Sequence, residues 1–391
     1  MKYKVLVTIT IIFLFFYSYI ASANIESNPP TFSNDSETFS TPEYFYSTWE
    51  KYPYSPSGTE ISFPIDEGIH KPYTEYTKEW WYANFHLKGV LSGNKYGAFG
   101  TYCRPFPFRF FSIFDYGQQQ MFTNVKVGAL KASETELDLE FSTLFDDEYW
   151  YTKKTESGDL IPFQYTFMMK GKAREQDKEM MKLDVDMHCL KPPMIVGGDG
   201  LVDIGQGWSY YYCQTKIEVT GTITVHGFTE GVEGYAWIDH QWGDFNVGLP
   251  KNRVLWEWFS IKLDDNREIM VADTWRMDNK EKYESTYDGL NYLDENNRYE
   301  LLEGYSIKQL GFWEDPINKK LYANKWSITE PSKNINLIVV PDYPDQLIRI
   351  FDLIDPYMPI SLWEGSCTVS GTIEGKAVTG KAYTELTHSW E

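Results

Sequence analysis

A carboxylate among indoles marks one stretch of the chain, Gly234-Tyr-Ala-Trp-Ile-Asp-His-Gln-Trp-Gly243. Adding water to an isolated double bond needs an acid that protonates carbon, a wall that tolerates a carbocation, and a placed water. A carboxylic acid beside aromatic rings meets the first need, because apolar burial disfavours its charged form. Asp239 is therefore the candidate proton donor. Trp237 and Trp242 offer ring faces to a cation. His240 can orient the acid or take a proton from water. A structural reading stands beside this one. Asp239 has a counterpart, Glu385, in a second copy of the motif, and a feature present in both copies serves the common fold. His240 and Trp242 lack such counterparts, since Glu385 is followed by Leu386-Thr-His388. Features unique to one copy are the better functional candidates.

Two further carboxylates sit beside tryptophans. Glu79 precedes Trp80-Trp81-Tyr82, and Glu257 lies between Trp256 and Trp258. Strand alternation puts Glu79 on the face of Trp81 and turns Glu257 away from both its tryptophans. A charge on an aromatic interior face must be paired or protonated. A salt bridge to Arg104 or Arg276 across the barrel is the expected pairing. His70 lies on a Pro-flanked loop before the first strand, either closing a barrel mouth or simply exposed. Trp81, Tyr82, Trp258 and Glu385 complete the expected ligand-contacting set. Ser209-Tyr-Tyr-Tyr212 and Pro105-Phe-Pro-Phe108 are read as core filling. No G-x-S-x-G elbow, H-E-x-x-H, P-loop or G-x-G-x-x-G occurs, and six scattered histidines show no metal spacing. Neither cofactor nor metal is expected.

The elements that position these residues are strands. Ile217, Val219, Gly221, Ile223 and Val225 share one parity, with polar residues between them, as in a half-buried strand. No long amphipathic helix is evident. The pattern then repeats. Ile217-Glu-Val-Thr-Gly-Thr-Ile223 resembles Cys367-Thr-Val-Ser-Gly-Thr-Ile373, and Gly234-Tyr-Ala-Trp-Ile-Asp239 resembles Gly380-Lys-Ala-Tyr-Thr-Glu385. Trp81-Tyr82 and Leu87 likewise match Trp258-Phe259 and Leu263. Two related β units follow, 61–250 and 251–391, the first longer by about two dozen residues between Arg104 and Ile217. Each has the size of a small antiparallel barrel able to hold one apolar ligand. A sandwich is the alternative.

The 391 residues are 42% hydrophobic and 24% charged, an ordinary globular balance. Aromatic residues make up 17%, which favours strands and large apolar binding surfaces. A formal charge of −20 repels phosphate backbones, so nucleic acid is not an expected partner. Lys2 and Lys4 precede an apolar run, Val5 to Ile20, and Ala21-Ser22-Ala23 is an A-x-A site. This predicts a signal peptide over 1–23, cleaved to leave no membrane span and to send the chain out of the cytoplasm, secreted or periplasmic. Residues 24–60, rich in Ser, Thr, Pro and Asn, read as a tether. Cys103, Cys189, Cys213 and Cys367 allow three disulfide pairings, all open.

The ordered blocks Phe63-Pro-Ile-Asp66, His70, Glu79-Trp-Trp-Tyr82, Gly97-Ala-Phe-Gly100, Gly234–Gly243, Trp256-Glu-Trp-Phe-Ser260, Trp363-Glu-Gly365 and Tyr383-Thr-Glu-Leu386 resemble a known family. It is the AttH-like / carotenoid 1,2-hydratase (CrtC-type) family of secreted lipocalin-like proteins. The resemblance spans about 61 to 388. It implies two tandem lipocalin-like barrels binding a large apolar small molecule, such as a polyene, terpenoid or polyketide. Relatives hydrate isolated double bonds of carotenoids or an isoflavonoid phytoalexin, and distant ones catalyse pericyclic ring closure. The expected function is a cofactor-free hydratase or isomerase. The alternatives are a non-catalytic carrier and, from the family's label alone, a hydrolase. The carboxy-terminal block departs from the family's pattern, ending in Leu386-Thr-His388 where Thr-Gly-Tyr is expected, which loosens any transfer of activity.

Overall fold

The structure is a computed structural model describing residues 49–390 apart from 76, 106, 145, 174–179, 205–206, 246–253, 277–280, 284–288 and 349–361. The expected leader, the tether up to residue 48 and the unit boundary at 250/251 lie outside the described residues. The rest of the tether, 49–60, departs from expectation. Trp49 and Tyr54 are buried, and Tyr54 and Phe63 exchange backbone hydrogen bonds of 2.9 and 2.8 Å. Aromatic rings supply enough apolar surface to hold a polar segment onto a core. No helix among the described residues is long and apolar enough to cross a membrane.

Strands dominate. The first sheet contains β1 (Lys78–Gly89), β2 (Lys95–Arg104), β3 (Phe108–Asp115), β4 (Gln120–Val127), β5 (Ala129–Ala132), β6 (Asp138–Ser142), β7 (Asp147–Lys154), β8 (Leu160–Lys172), β9 (Met180–Cys189), β10 (Met194–Ile195), β11 (Leu201–Asp203), β12 (Trp208–Val225) and β13 (Phe228–Asp244). The second contains β14 (Val254–Leu263), β15 (Glu268–Arg276), β16 (Leu290–Leu293), β17 (Tyr299–Leu302), β18 (Ser306–Glu314), β19 (Leu321–Glu330), β20 (Ile335–Pro341), β21 (Trp363–Ile373) and β22 (Lys376–Leu386). The first runs in the order β4-β3-β2-β1-β13-β12-β9-β8-β7-β6-β5, with β10 and β11 on β12. The second runs β17-β16-β15-β14-β22-β21-β20-β19-β18. In each, the unit's first strand pairs antiparallel with its last, β1 with β13 and β14 with β22. That pairing curls a sheet back on itself. Two lipocalin-like barrels result, the first nearly closed and the second a half-barrel.

Alternation then sorts the side chains into three cores. Trp81, Phe85 and Leu87 of β1 join Ile217, Val219 and Ile223 inside the first barrel. Phe259, Ile261 and Leu263 of β14 join Val369 and Ala382 inside the second. The opposite faces of the same strands meet between the barrels, where Tyr82, Tyr211 and Trp237 pack with Trp258, Met270 and Tyr383. The extra length of the first copy helps to build this middle core. The excursion carrying β10 and β11 buries Met194, Val196, Val202 and Ile204 there. Beside it, Lys191 reaches Glu268 Oε2 at 2.5 Å and the carbonyls of Asn266 and Asp294 in the other barrel.

The motif glycines have a packing reason. A Cβ on Gly234 would lie 2.1 Å from the His86 carbonyl oxygen, and one on Gly380 would lie 2.3 Å from that of Lys262. Each repeat therefore needs glycine where its last strand crosses its first.

Candidate functional site

Among the described residues, Asp239, Glu385 and Glu364 come together in the middle core. Asp239 on β13 pairs across the ladder with Tyr82, and its repeat counterpart Glu385 on β22 pairs with Trp258. Both side chains face the gap between the barrels, so the duplication brings the two acids to one place. Glu364 on β21 lies directly opposite Glu385. Asp239 Oδ1 accepts hydrogen bonds from Tyr211 Oη (3.1 Å) and Trp237 Nε1 (3.0 Å), and Trp258 Nε1 donates to the same tyrosine oxygen (3.1 Å). Tyr82 Oη donates to Glu364 Oε2 at 3.0 Å, and Trp256 Nε1 donates to Glu385 Oε1 at 3.0 Å. The rings of Trp237 and Trp258 stand edge to face, with centroids 6.4 Å apart.

Burial governs the chemistry of these acids. Loss of solvation pushes Asp239 up to about 6, against the donors Cys213, Trp237 and Tyr211 that favour its charge. It pushes Glu385 up to about 7, with the nearby charge of Asp239 adding to the rise. Glu364 is raised further by burial and by the charge of Glu385, to which it is hydrogen-bonded. Two carboxyls in contact cannot both ionise, so this pair retains a proton at neutral pH. Lys262, also buried, is pushed down to about 7; its Nζ lies 5.8 Å from the Trp237 ring centroid. The edge of the site is apolar. Trp80, Phe110, Met121, Trp256 and Leu362 pack against it while only half-buried.

A second polar centre lies inside the first barrel, on the other face of the same strands. Glu79 Oε1 meets His70 Nδ1 at 2.7 Å and His240 Nε2 at 3.0 Å. Its Oε2 lies 2.5 Å from Arg104 Nε, and Arg104 also donates to the His70 carbonyl. Trp242 stacks on His70 with centroids 3.8 Å apart and planes 4° apart, and Trp81 stacks on His240 at 4.8 Å. Burial would raise Glu79, but hydrogen bonds from His240 and His70 hold it down at about 2. Burial lowers His240 below its ordinary value. His70 is raised, because hydrogen bonds to Asp66 and Glu79 overcome its burial. Nearby, the turn Ile65–Glu67 inserts Glu67 among Tyr52, Tyr165 and Gln214. The segment from Trp49 to His70 thus plugs the barrel.

The AttH-like family model matches residues 54–389. The chain belongs to the AttH-like family. No curated protein matches it by sequence. Among solved structures, an AttH protein from Nitrosomonas europaea superposes with a TM-score of 0.65 at 20% identity, covering 86% of this chain and 98% of that one. Kievitone hydratase from Nectria haematococca gives 0.63 at 16% identity, covering 86% and 98%. CghA with Sch210972 gives 0.50 at 9% identity, covering 85% and 96%. These likenesses are of fold.

In this AttH-like protein the candidate residues divide between the two centres. Asp239, Trp237, Tyr82, Trp258 and Glu385 converge between the barrels. His240, Trp242, Glu79, Trp81 and His70 converge inside the first. The expected pairing of Asp239 with His240 is therefore corrected: neighbours on one strand point to opposite faces. For the same reason Trp242 forms no wall with Trp237. Glu257 joins neither centre and has no arginine partner among the described residues. It sits inside the second barrel, where Gln309 (2.7 Å), Trp326 (3.2 Å) and Trp390 (3.0 Å) donate to it. The Glu79–Arg104 pair is present. Sequence reasoning missed Glu364, although Trp363-Glu-Gly365 was a motif block; its signal is its place opposite Glu385 in the last hairpin. It also missed Tyr211 and Asp66 as partners.

Proposed function

We propose that this protein is an acid-catalysed hydratase or isomerase of a large apolar molecule, a polyene, terpenoid or polyketide, bound between its barrels. The observation that supports this is a buried carboxyl, Asp239, whose proton is held to about pH 6 among indole rings. Asp239 gives its proton to one carbon of a double bond. The faces of Trp237 and Trp258 stabilise the cation left on the other carbon. Water adds to that cation, and the proton it sheds returns to the emptied carboxylates, with the Glu364–Glu385 pair as relay. The net change is addition of one water; loss of a proton from the cation without water gives an isomer. Kievitone hydratase, by its name, performs a hydration on the same fold. Export is part of the reading: the mature chain starts at Asn24, which sequencing of secreted protein checks.

The test is mass spectrometry of apolar metabolite extracts incubated with the full mature chain and with Asp239→Asn and Glu385→Gln. A metabolite that gains one water's mass, or is converted to an isomer, with the unmutated protein alone supports the reading. A metabolite retained unchanged by all three proteins overturns it in favour of a carrier, which the half-buried apolar rim also suits.

A further inference from the structure

Hydrogen bonding leaves the centre inside the first barrel with an odd arrangement of lone pairs. His240 Nδ1 lies 2.9 Å from the Asp66 carbonyl oxygen, which only accepts, so this nitrogen carries the ring proton. In the neutral ring Nε2 is then a lone pair, yet it faces another acceptor, Glu79 Oε1. His70 repeats the pattern. Its Nε2 lies 3.0 Å from Asp66 Oδ1, and its Nδ1 faces the same Glu79 oxygen. Both rings thus use one nitrogen on Asp66 and turn the other onto Glu79 Oε1. The second oxygen of Glu79 is occupied by Arg104. Metal-binding histidines are built this way: the distal N–H goes to a carboxylate or a backbone carbonyl, and the ligating carboxylate is itself held from behind.

We propose that His70 Nδ1, His240 Nε2 and Glu79 Oε1 bind a divalent transition-metal ion, oriented by Asp66 and Arg104. Two imidazoles and one carboxylate suit Zn²⁺ or Fe²⁺ and not Mg²⁺ or Ca²⁺, which prefer oxygen ligands. The three donor atoms lie within 4.8 Å of one another. Bonds of about 2.1 Å place two ligand atoms at most about 4.2 Å apart, so a small shift of one ring closes the site. His70 can make that shift, being 14% exposed at the loop side while His240 and Glu79 are at 0%. Trp242 and Trp81 stack on the two rings and fix their planes. The bound ion ties the plug, through His70, to β1 and β13. The rival occupant is protons alone, with both rings charged. This site is separate from the carboxylates between the barrels and does not depend on the hydratase reading.

The experiment uses the full mature chain, stripped with chelator and titrated with Zn²⁺ by calorimetry and with Co²⁺ by visible absorption. One equivalent of Zn²⁺ and the ligand-field bands of Co²⁺ are expected, with Zn²⁺ raising the melting temperature. His70→Ala and Glu79→Gln are expected to weaken affinity by at least about 100-fold, and Asp66→Ala by about 10- to 100-fold. Absence of stoichiometric uptake by the wild-type chain overturns the proposal, as does uptake unchanged in His70→Ala. If Glu79→Gln fails to fold, His70→Ala, on the loop side, decides alone.

Discussion

Asp239 sits where two demands conflict. Its burial raises its carboxyl from 3.8 to about 6, a shift of about two units or about 3 kcal/mol between protonation states. A carboxyl raised on folding contributes stability that is complete below its unfolded value and lost as pH rises through the folded one. At pH 8, Asp239→Asn is therefore expected to raise the melting temperature while abolishing turnover; at pH 4 the gain in stability disappears. Turnover by the unmutated chain should fall as pH rises through 6 to 7, because the protonated carboxyl is the reactive form. Thermal melts and a pH–rate profile check both. Much of this was legible in sequence: an acid among indoles reads as a raised carboxyl. His240 is not its partner. Alternation separates residues 239 and 240 as surely as it unites Glu79 with Trp81. The metal-type centre was illegible for a different reason. His70, Glu79 and His240 come from a loop and two strands far apart in the chain, so no local spacing announces them.

The hairpin of β12 and β13 positions both centres, one on each face. Its register is consequently fixed from two sides, and a slip by one residue would exchange them. Gly234 and Gly380 protect the equivalent crossings. Substitution by alanine at either drives a methyl into a backbone carbonyl, and a loss of about 1–3 kcal/mol is expected. Denaturant melts should show it for Gly234→Ala and Gly380→Ala alike; a loss in one copy alone would break the equivalence of the repeats. The repeat itself was readable from sequence, down to these glycines. The role of the extra residues in the first copy was not, because Met194, Val196, Val202 and Ile204 look like any core residues until the second barrel lies against them.

Among the described residues, buried acids held above their ordinary values outweigh those held below, which are Glu79, Asp146, Glu230, Glu330 and Asp342. Glu67, Glu257 and Glu385 are pushed to about 7 by burial, and Asp239 to about 6. The stability each contributes is complete below its unfolded value and is lost as pH rises through the folded one. Glu79, held at about 2, does the opposite, and its contribution goes only as pH falls from about 4.5 towards 2. The melting temperature is therefore expected to peak near pH 4.5 and to decline towards pH 7. His86 and His240, pushed down by burial, work in the other direction up to about pH 6.5, and Lys262, pushed down to about 7, does so above that. Scanning calorimetry across this range checks the sign; a maximum at pH 8 would contradict it.

The antiparallel pairing of β1 with β13 also sets a timetable. A ribosome finishes Gly89 long before Asp244, and at about 5–20 residues per second the wait is on the order of 10 to 30 seconds. Until β13 emerges, β1 has one unsatisfied edge, and the plug that carries His70 has only part of its seat. Contacts so distant in sequence form late. Newborn chains thus pass through a period with a sticky flank. On this schedule His70 and His240 come together on Glu79 only once β13 has emerged, late in the making of the first barrel.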